Sequence, residues 1–388
     1  MHQPLNAATG GKPQIVIIGA GFAALTAIRE LRRLQVQADI TVIAPTDTLV
    51  YLPSLIWIPA DLRRGEDLKV PLANFFARHQ VRHIQARVDG LSADGRTVET
   101  TAGPVVNDLL MIASGGRYIR KLPGIENALI PCEGIASTEA LRDRLAAMER
   151  GTVAIGFGGN PKEPTAVRGG PMFEFLFGAD TLLRRQKRRD KIDLVFFNHS
   201  ARPGQRLGPK AVNGLLKQMK KRDIKTHLGH KMVRFEPDRV VTEGGEFPAD
   251  LILFMPGLTG PAWLDQTELP RSPGGFVQAT ATCAVPGLRH VYVAGDAGSF
   301  PGPDWMPKQA HQADLQAQTV AHNMAEELKG LPGLQQFKPE LICIVDTLDA
   351  GMLVFRNNRR SVTLPRMGPF HTMKRMFEQH YLKAYRTR

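Results

Sequence analysis

Gly19-Ala20-Gly21-Phe22-Ala23-Ala24 reads G-x-G-x-x-A, directly after the apolar run Ile15 to Ile18 and directly before a helix carrying Leu25, Ile28, Leu31 and Leu34 on one face. In that setting Gly19 permits a tight turn and Gly21 lets a pyrophosphate approach the backbone. The small Ala24 lets helix and strand pack closely, and the helix N-terminus meets the phosphate charge. The pattern predicts a dinucleotide site. The next strand, Ile40 to Ala44, closes on Ala44 where an acidic residue is expected, which leaves Asp47 as the candidate for a ribose hydroxyl. Far downstream, HVYVAGDAGSF reads as a strand ending in Gly295-Asp296, shortly before a helix that begins near Lys308. A carboxylate there accepts hydrogen bonds from ribityl hydroxyls, and the positive end of the helix points at a flavin pyrimidine. The bland reading of that pair is a surface turn. Together, the early glycine turn and the late Gly-Asp pair point to FAD.

The elements that must hold these residues alternate in the α/β manner. After the first strand–helix–strand unit come short alternating strands over 81–117, and then a second strand–glycine–helix beginning at TVAIGFGGN. Further strands follow at Asp193 to Phe197, Met232 to Val241 and DLILFMPG, with a basic helix around Asn213 to Lys221 and another helix from Lys308 toward Leu328. The expected architecture is α/β with two Rossmann-like dinucleotide-binding domains, the FAD domain being discontinuous: 13–117 with 285–330, then 118–284 with a degenerate nucleotide site, then a C-terminal region over 331–388. The length of 388 residues suits that division, and 43% hydrophobic residues with no repeat exclude a disordered or solenoid chain. Cys132, Cys283 and Cys343 are too few for a disulfide-built secreted scaffold. Residues 1–12 read as a flexible lead without a signal-peptide core, so a cytoplasmic protein is expected. The net charge of +13 leaves nucleic acid, anionic lipid and anionic ligands open, although no aromatic interleaving argues for nucleic acid. No metal-ligand spacing is found around His290, His311 and His322.

From Pro13 to the C-terminus the chain resembles the flavoproteins with two dinucleotide-binding domains, and within them the sulfide:quinone oxidoreductases and flavocytochrome c sulfide dehydrogenases. The pieces that carry the resemblance are GAGFAA, YLPSL, LLMIASGG, IPCEG, GGPMFEF, LFMPGLTGP, VYVAGDAG, MPKQAHQ and CIVDTLDAG, in that order. It implies an FAD enzyme that oxidises sulfide or a related sulfur donor and passes electrons to quinone or a cytochrome. It also implies FAD contacts at Gly19, Gly21, Pro53, Val88, Ser114, Gly115, Gly295, Asp296 and Lys308. Cys343 matches the family's flavin-side cysteine, and Cys132 a third one. The family's remaining cysteine, just before the Gly-Pro, is absent: the chain reads Val167-Arg168-Gly169-Gly170-Pro171.

Cys343 is therefore the candidate nucleophile, able to attack the flavin or hold a sulfane sulfur if its pKa is lowered, against the plain reading of a buried inert thiol. Cys132 either relays sulfur or does nothing catalytic, and Cys283 is expected to pack beside a strand end. Arg168 either holds an incoming anion or is a surface arginine in a mobile loop. Glu174, among Phe173, Phe175 and Phe177, is a candidate proton donor to quinone or a first-turn helix charge. Lys308 either sits near the flavin N1–C2=O or is solvated. The second glycine turn, Gly156-Phe157-Gly158-Gly159-Asn160-Pro161, is followed by Pro164, and prolines so placed keep a helix N-terminus away from a pyrophosphate. That argues against type II NADH:quinone oxidoreductase, which stays the alternative enzyme; a redox-sensing flavoprotein is the alternative that is no enzyme. Finally, Met373, Phe377, Tyr381 and Tyr385 recur every fourth residue amid five Lys or Arg over His371 to Arg388. This reads as a peripheral, monotopic membrane anchor or as a core-packed helix. The basic runs Arg184 to Lys191 and Lys217 to Lys225 face lipid or solvent.

Overall fold

The protein, described by a computed structural model over residues 11–386, is built on two parallel sheets. Most of the expected lead, and Thr387 and Arg388 at the end of the expected anchor, lie outside the described residues. Strands β1 (Gln14–Ile18), β2 (Asp39–Ala44), β3 (Val81–Gln85) and β4 (Leu109–Ile112) belong to the first sheet. β5 (Ala128–Leu129), β6 (Gly151–Phe157), β7 (Ile192–Asn198), β8 (Lys225–Leu228) and β9 (Leu251–Met255) form the second. The chain then returns to the first sheet with β10 (Val291–Val293), giving the order β10-β4-β1-β2-β3, while the second runs β5-β9-β6-β7-β8. These strands are nearly continuous runs of Ile, Val, Leu and Phe, as parallel strands covered on both faces must be. An antiparallel three-stranded sheet follows: β11 (Glu340–Asp346), β12 (Gly351–Asn357) and β13 (Ser361–Met367).

Seven helices cover these sheets among the described residues: α1 (Phe22–Arg33), α2 (Ala73–Arg78), α3 (Ile135–Ala147), α4 (Gly170–Arg185), α5 (Pro209–Lys221), α6 (Ala310–Leu328) and α7 (Gly368–Arg386). The apolar face of α1 is buried as its spacing predicts, with Leu25, Ile28 and Leu31 fully covered. α1 packs against α6, and a Cβ on Gly295 (φ +73°) would stand 3.4 Å from the Cβ of Ala313 and 3.6 Å from that of Ala23. Cys283 is fully buried in the first core. None of the described helices is long and apolar enough to cross a membrane.

Two expectations about helices need correction. α4 starts at Gly170 with Pro171 in its first turn, which puts Glu174 one turn further in, without a role at the helix end. The C-terminal stripe is split along α7. Tyr385 and Leu382 are buried in the first core, and Tyr381 packs beside Tyr51 and Phe22 at ring separations of 5.7 and 5.8 Å, whereas Met376 and Phe377 are 63% and 56% exposed. The basic runs are also not simple surface faces. Arg184, Arg189 and Arg222 converge on the fully buried Asp180, and Arg188 bonds the carbonyls of Leu145 and Met148.

Candidate active site

One continuous cavity of about 2500 Å³ runs between the two sheets and reaches the C-terminal region. Its first end is the glycine turn. Gly19 has φ +108°, and a Cβ there would stand 2.4 Å from the carbonyl oxygen of Ala113. Only glycine fits. A Cβ on Gly21 would meet nothing within 4 Å, and the N-terminus of α1 that follows has no side-chain cap and no acidic residue in its first turn. An uncapped helix N-terminus opening into a cavity behind a glycine is a place built for phosphate. Ser114 (bonded by the Trp263 indole at 3.1 Å), Gly115 (φ +72°), Val88 and Pro53 line the same space, with Gly295, Asp296 and Lys308. Ala24 lies beneath the turn, fully buried. Asp47 is exposed and does not line the cavity; its neighbours Thr46 and Thr48 do. This set fits FAD, with glycines where the pyrophosphate needs bare backbone and polar groups further along.

The middle of the cavity holds Arg168. Its guanidinium pairs with the Asp296 carboxylate and also bonds Tyr118. Burial works against that charge most strongly, but Asp296, Tyr118 and Cys132 together hold the arginine above its usual pKa. Arg168 is 20% exposed, so a surface arginine in a mobile loop is excluded. Lys308 donates to the backbone oxygens of Gly298 (2.6 Å) and Asp296 (3.3 Å) and lies 4.0 Å from the centre of the Phe276 ring. Burial pushes its pKa down to about 8. It is not solvated.

The far end joins α4, β11 and α7. A Cβ placed on Gly170, the first residue of α4, would lie 4.0 Å from the Cys343 sulfur. Cys343 and Cys132 both line the cavity, and each feels the charges of Glu174 and Lys374. Glu174 Oε1 accepts the Asp346 amide at 2.9 Å and bonds the ammonium of Lys374, which also donates to the Ile344 carbonyl at 3.2 Å. Burial pushes Glu174 up, and the nearby carboxylate holds Lys374 up despite burial. Beside this pair, Asp346 accepts from Trp57 (3.3 Å), the Leu348 amide (2.8 Å) and His371 Nδ1 (2.7 Å). Burial pushes both thiols up to about 12, with Lys374 opposing. A lowered thiol pKa, the condition set for reactivity from the sequence, is thus not what this environment provides. Sequence reasoning missed Lys374, His371 and Asp346. Lys374 carried no signal apart from its basic neighbours, because only the packing of α7 on β11 brings it to Glu174.

The second glycine turn lines the same cavity and is braced from behind by its own chain. A Cβ on Gly257 would stand 2.3 Å from the Gly159 carbonyl carbon, and Asn160 donates to the carbonyls of Leu258 and Gly274. α4 begins only at Gly170, well past the turn. At the other extreme Ile342, Met373 and Phe377 line the cavity and are also 42%, 40% and 56% exposed, so the cavity opens onto an apolar surface.

Two parallel sheets around one such cavity, with a phosphate turn in the first, define an FAD-dependent oxidoreductase. The family model for pyridine nucleotide-disulphide oxidoreductase matches residues 13–317, and the chain belongs to that family. The chain is 25% identical to the sulfide-quinone reductase of Aquifex aeolicus, over 95% of this chain and 90% of that one. It is 24% identical to an NADH dehydrogenase-like protein of Mycobacterium tuberculosis, over 74% and 73%. Among solved structures it is similar to the sulfide:quinone oxidoreductase of Aquifex aeolicus, with a TM-score of 0.86 at 22% identity, covering 96% and 91% of the two chains. It is also similar to NDH2 of Plasmodium falciparum, solved with NADH, with a TM-score of 0.74 at 11% identity, covering 97% and 96%.

Proposed function

We propose that the protein oxidises sulfide or a related sulfur donor and delivers the electrons to a membrane quinone. The observation that carries this reading is the meeting of Cys343 and Cys132 with the Glu174–Lys374 pair at the end of the cavity that opens between Met373, Phe377 and Ile342. Gly19, Gly21, Ser114, Gly115 and Asp296 would hold the FAD, which supplies a two-electron acceptor for the donor and a two-electron source for the quinone. Cys343 would take up the donor sulfur as a persulfide, the two electrons released by the new S–S bond passing to the bound FAD and the thiol proton to a neighbouring base. Lys374 stabilises the thiolate once it forms, and Glu174, whose pKa burial raises, accepts or returns the proton. A quinone, confined to the bilayer, needs an opening on the membrane side. Val362, Leu364, Met367, Met373, Met376 and Phe377 are all more than a third exposed, with Arg359, Arg360 and Arg375 nearby in sequence, a composition that suits an anionic lipid surface. The prolines and the Gly159–Gly257 contact weigh against NADH as donor.

The test is sulfide-dependent reduction of a quinone by the purified flavoprotein. Cys343→Ser is expected to lose it, and Cys283→Ser, buried away from the cavity, to retain it. Full activity in Cys343→Ser makes the thiol structural and removes sulfide as the donor.

A further inference from the structure

The cavity has an arm that neither FAD nor a quinone accounts for. A ligand pocket is typically about 300–1,000 Å³, and this cavity is about 2500 Å³. The arm lies at the ends of β6 and β7, where the half-buried Arg206 and Arg356 line the cavity together with the exposed Arg202, Lys231 and Asp304. Arg206 is the centre of it. Among the described residues its guanidinium bonds only backbone carbonyls, those of Pro164 and Val167, so it pins the loop that ends in Arg168. Burial, opposed by Asp304, pushes its pKa down to about 10, the mark of a cation without a close anion. Arg356 donates to the Arg206 carbonyl at 3.0 Å, and its guanidinium lies 4.9 Å from the centre of the Trp305 ring. Arg202 is held by Asn213 at 2.7 Å. In a nucleotide-binding domain the end of the second strand would meet a ribose, but here the helix whose N-terminus would face a pyrophosphate begins only at Gly170, well past the glycine turn.

We infer that this arm is a subsite for a small sulfur compound that carries its negative charge on oxygens, such as thiosulfate or the persulfide of a carboxylated thiol. The inference rests on the sulfur-donor reading. Guanidinium groups match paired anionic oxygens, whereas hydrosulfide offers none. Arg168 stands where the arm meets the thiols, its charge acting on Cys132. Arg206 and Arg356 would hold the oxygens while the terminal sulfur points inward.

The experiment is calorimetric titration of the holoenzyme with inorganic sulfate, a non-reacting probe, at an ionic strength fixed with sodium chloride. Saturable binding is expected. A hydrogen bond to a charged group contributes roughly 1.5–3 kcal/mol, so Arg356→Gln and Arg206→Lys should each weaken binding about tenfold or more. Arg239→Gln, an exposed change of the same charge on the 239–242 strand, should not. Arg206→Lys keeps the charge but loses the fork, and its flavin spectrum reports whether the loop still folds. Sulfate should also compete with flavin reduction by thiosulfate or by glutathione persulfide, and whichever is inhibited names the ligand. The inference is overturned if sulfate binds no better than chloride or if both variants bind it as the parent does. If arginine-dependent binding is found while no sulfur compound reduces the flavin, the anion site stands and the sulfur-donor reading falls.

Discussion

Cys343 works against its own ionisation. Burial and the Glu174 carboxylate raise its pKa to about 12, and only Lys374 pulls the other way. The thiol therefore rests protonated, and in the proposed reaction it would lose its proton as the sulfur donor binds, with the Glu174–Lys374 pair beside it. Iodoacetamide, which reacts with thiolates, should label native holoenzyme at pH 8 on the order of a thousandfold more slowly than free cysteine. The rate should climb with pH, and unfolding should expose all three thiols to fast labelling, counted by mass spectrometry. Rapid labelling of Cys343 at neutral pH would assign it a lowered pKa instead. Asp314 gives a second test at this scale. It is held by Thr26 at 2.6 Å and by Tyr381 at 3.2 Å, and burial raises its pKa from 3.8 to about 6. The folded state thus binds a proton more tightly than the unfolded one, so this group's contribution is fully present below pH 3.8 and is lost as pH rises through about 6. Asp314→Asn should flatten that part of the stability curve. Melting temperatures measured from pH 4 to pH 7 against the parent would show it, and parallel curves would deny it.

At the level of elements, α7 is where the sequence was legible in composition and illegible in direction. Residues four apart advance around a helix by roughly 40° per step beyond a full turn, so a series of three steps winds through about 120°. The spacing of Met373, Phe377, Tyr381 and Tyr385 looks like one stripe on paper, yet its two ends face solvent and core. Cutting the chain at Met373 would therefore remove Leu382 and Tyr385 from the first core and take Lys374 away from Glu174, so truncation reads stability as much as attachment. Met376→Asp with Phe377→Asp is the cleaner change, because both side chains are more than half exposed. It should weaken binding to anionic liposomes in a sedimentation assay, by lost apolar contact at any salt and by added repulsion at low salt, and should leave the melting temperature nearly unchanged. Unaltered sedimentation would show that this face does not meet lipid. The second glycine turn was legible for a firmer reason. Proline restricts its own backbone and that of the preceding residue wherever it stands, so two of them after Gly159 postponed the helix whatever the tertiary packing.

For the whole molecule, the two parallel sheets and the first glycine turn could be read because strand–glycine–helix units are local patterns. The site at the far end could not. Glu174 and Lys374 lie 200 positions apart, and nothing in either neighbourhood names the other. Only the three-stranded sheet β11–β13, which brings Cys343 to the start of α4 and α7 across β11, assembles them. The same assembly puts the thiols and their charge pair where the cavity opens to the surface. The most direct test is anaerobic stopped-flow mixing of the flavoprotein with sulfide and, separately, with NADH, following the flavin absorbance. Sulfide should bleach the flavin within the time of one quinone turnover, and NADH should leave it oxidised over the same interval. Bleaching by NADH at that rate, with none by sulfide, would contradict the account.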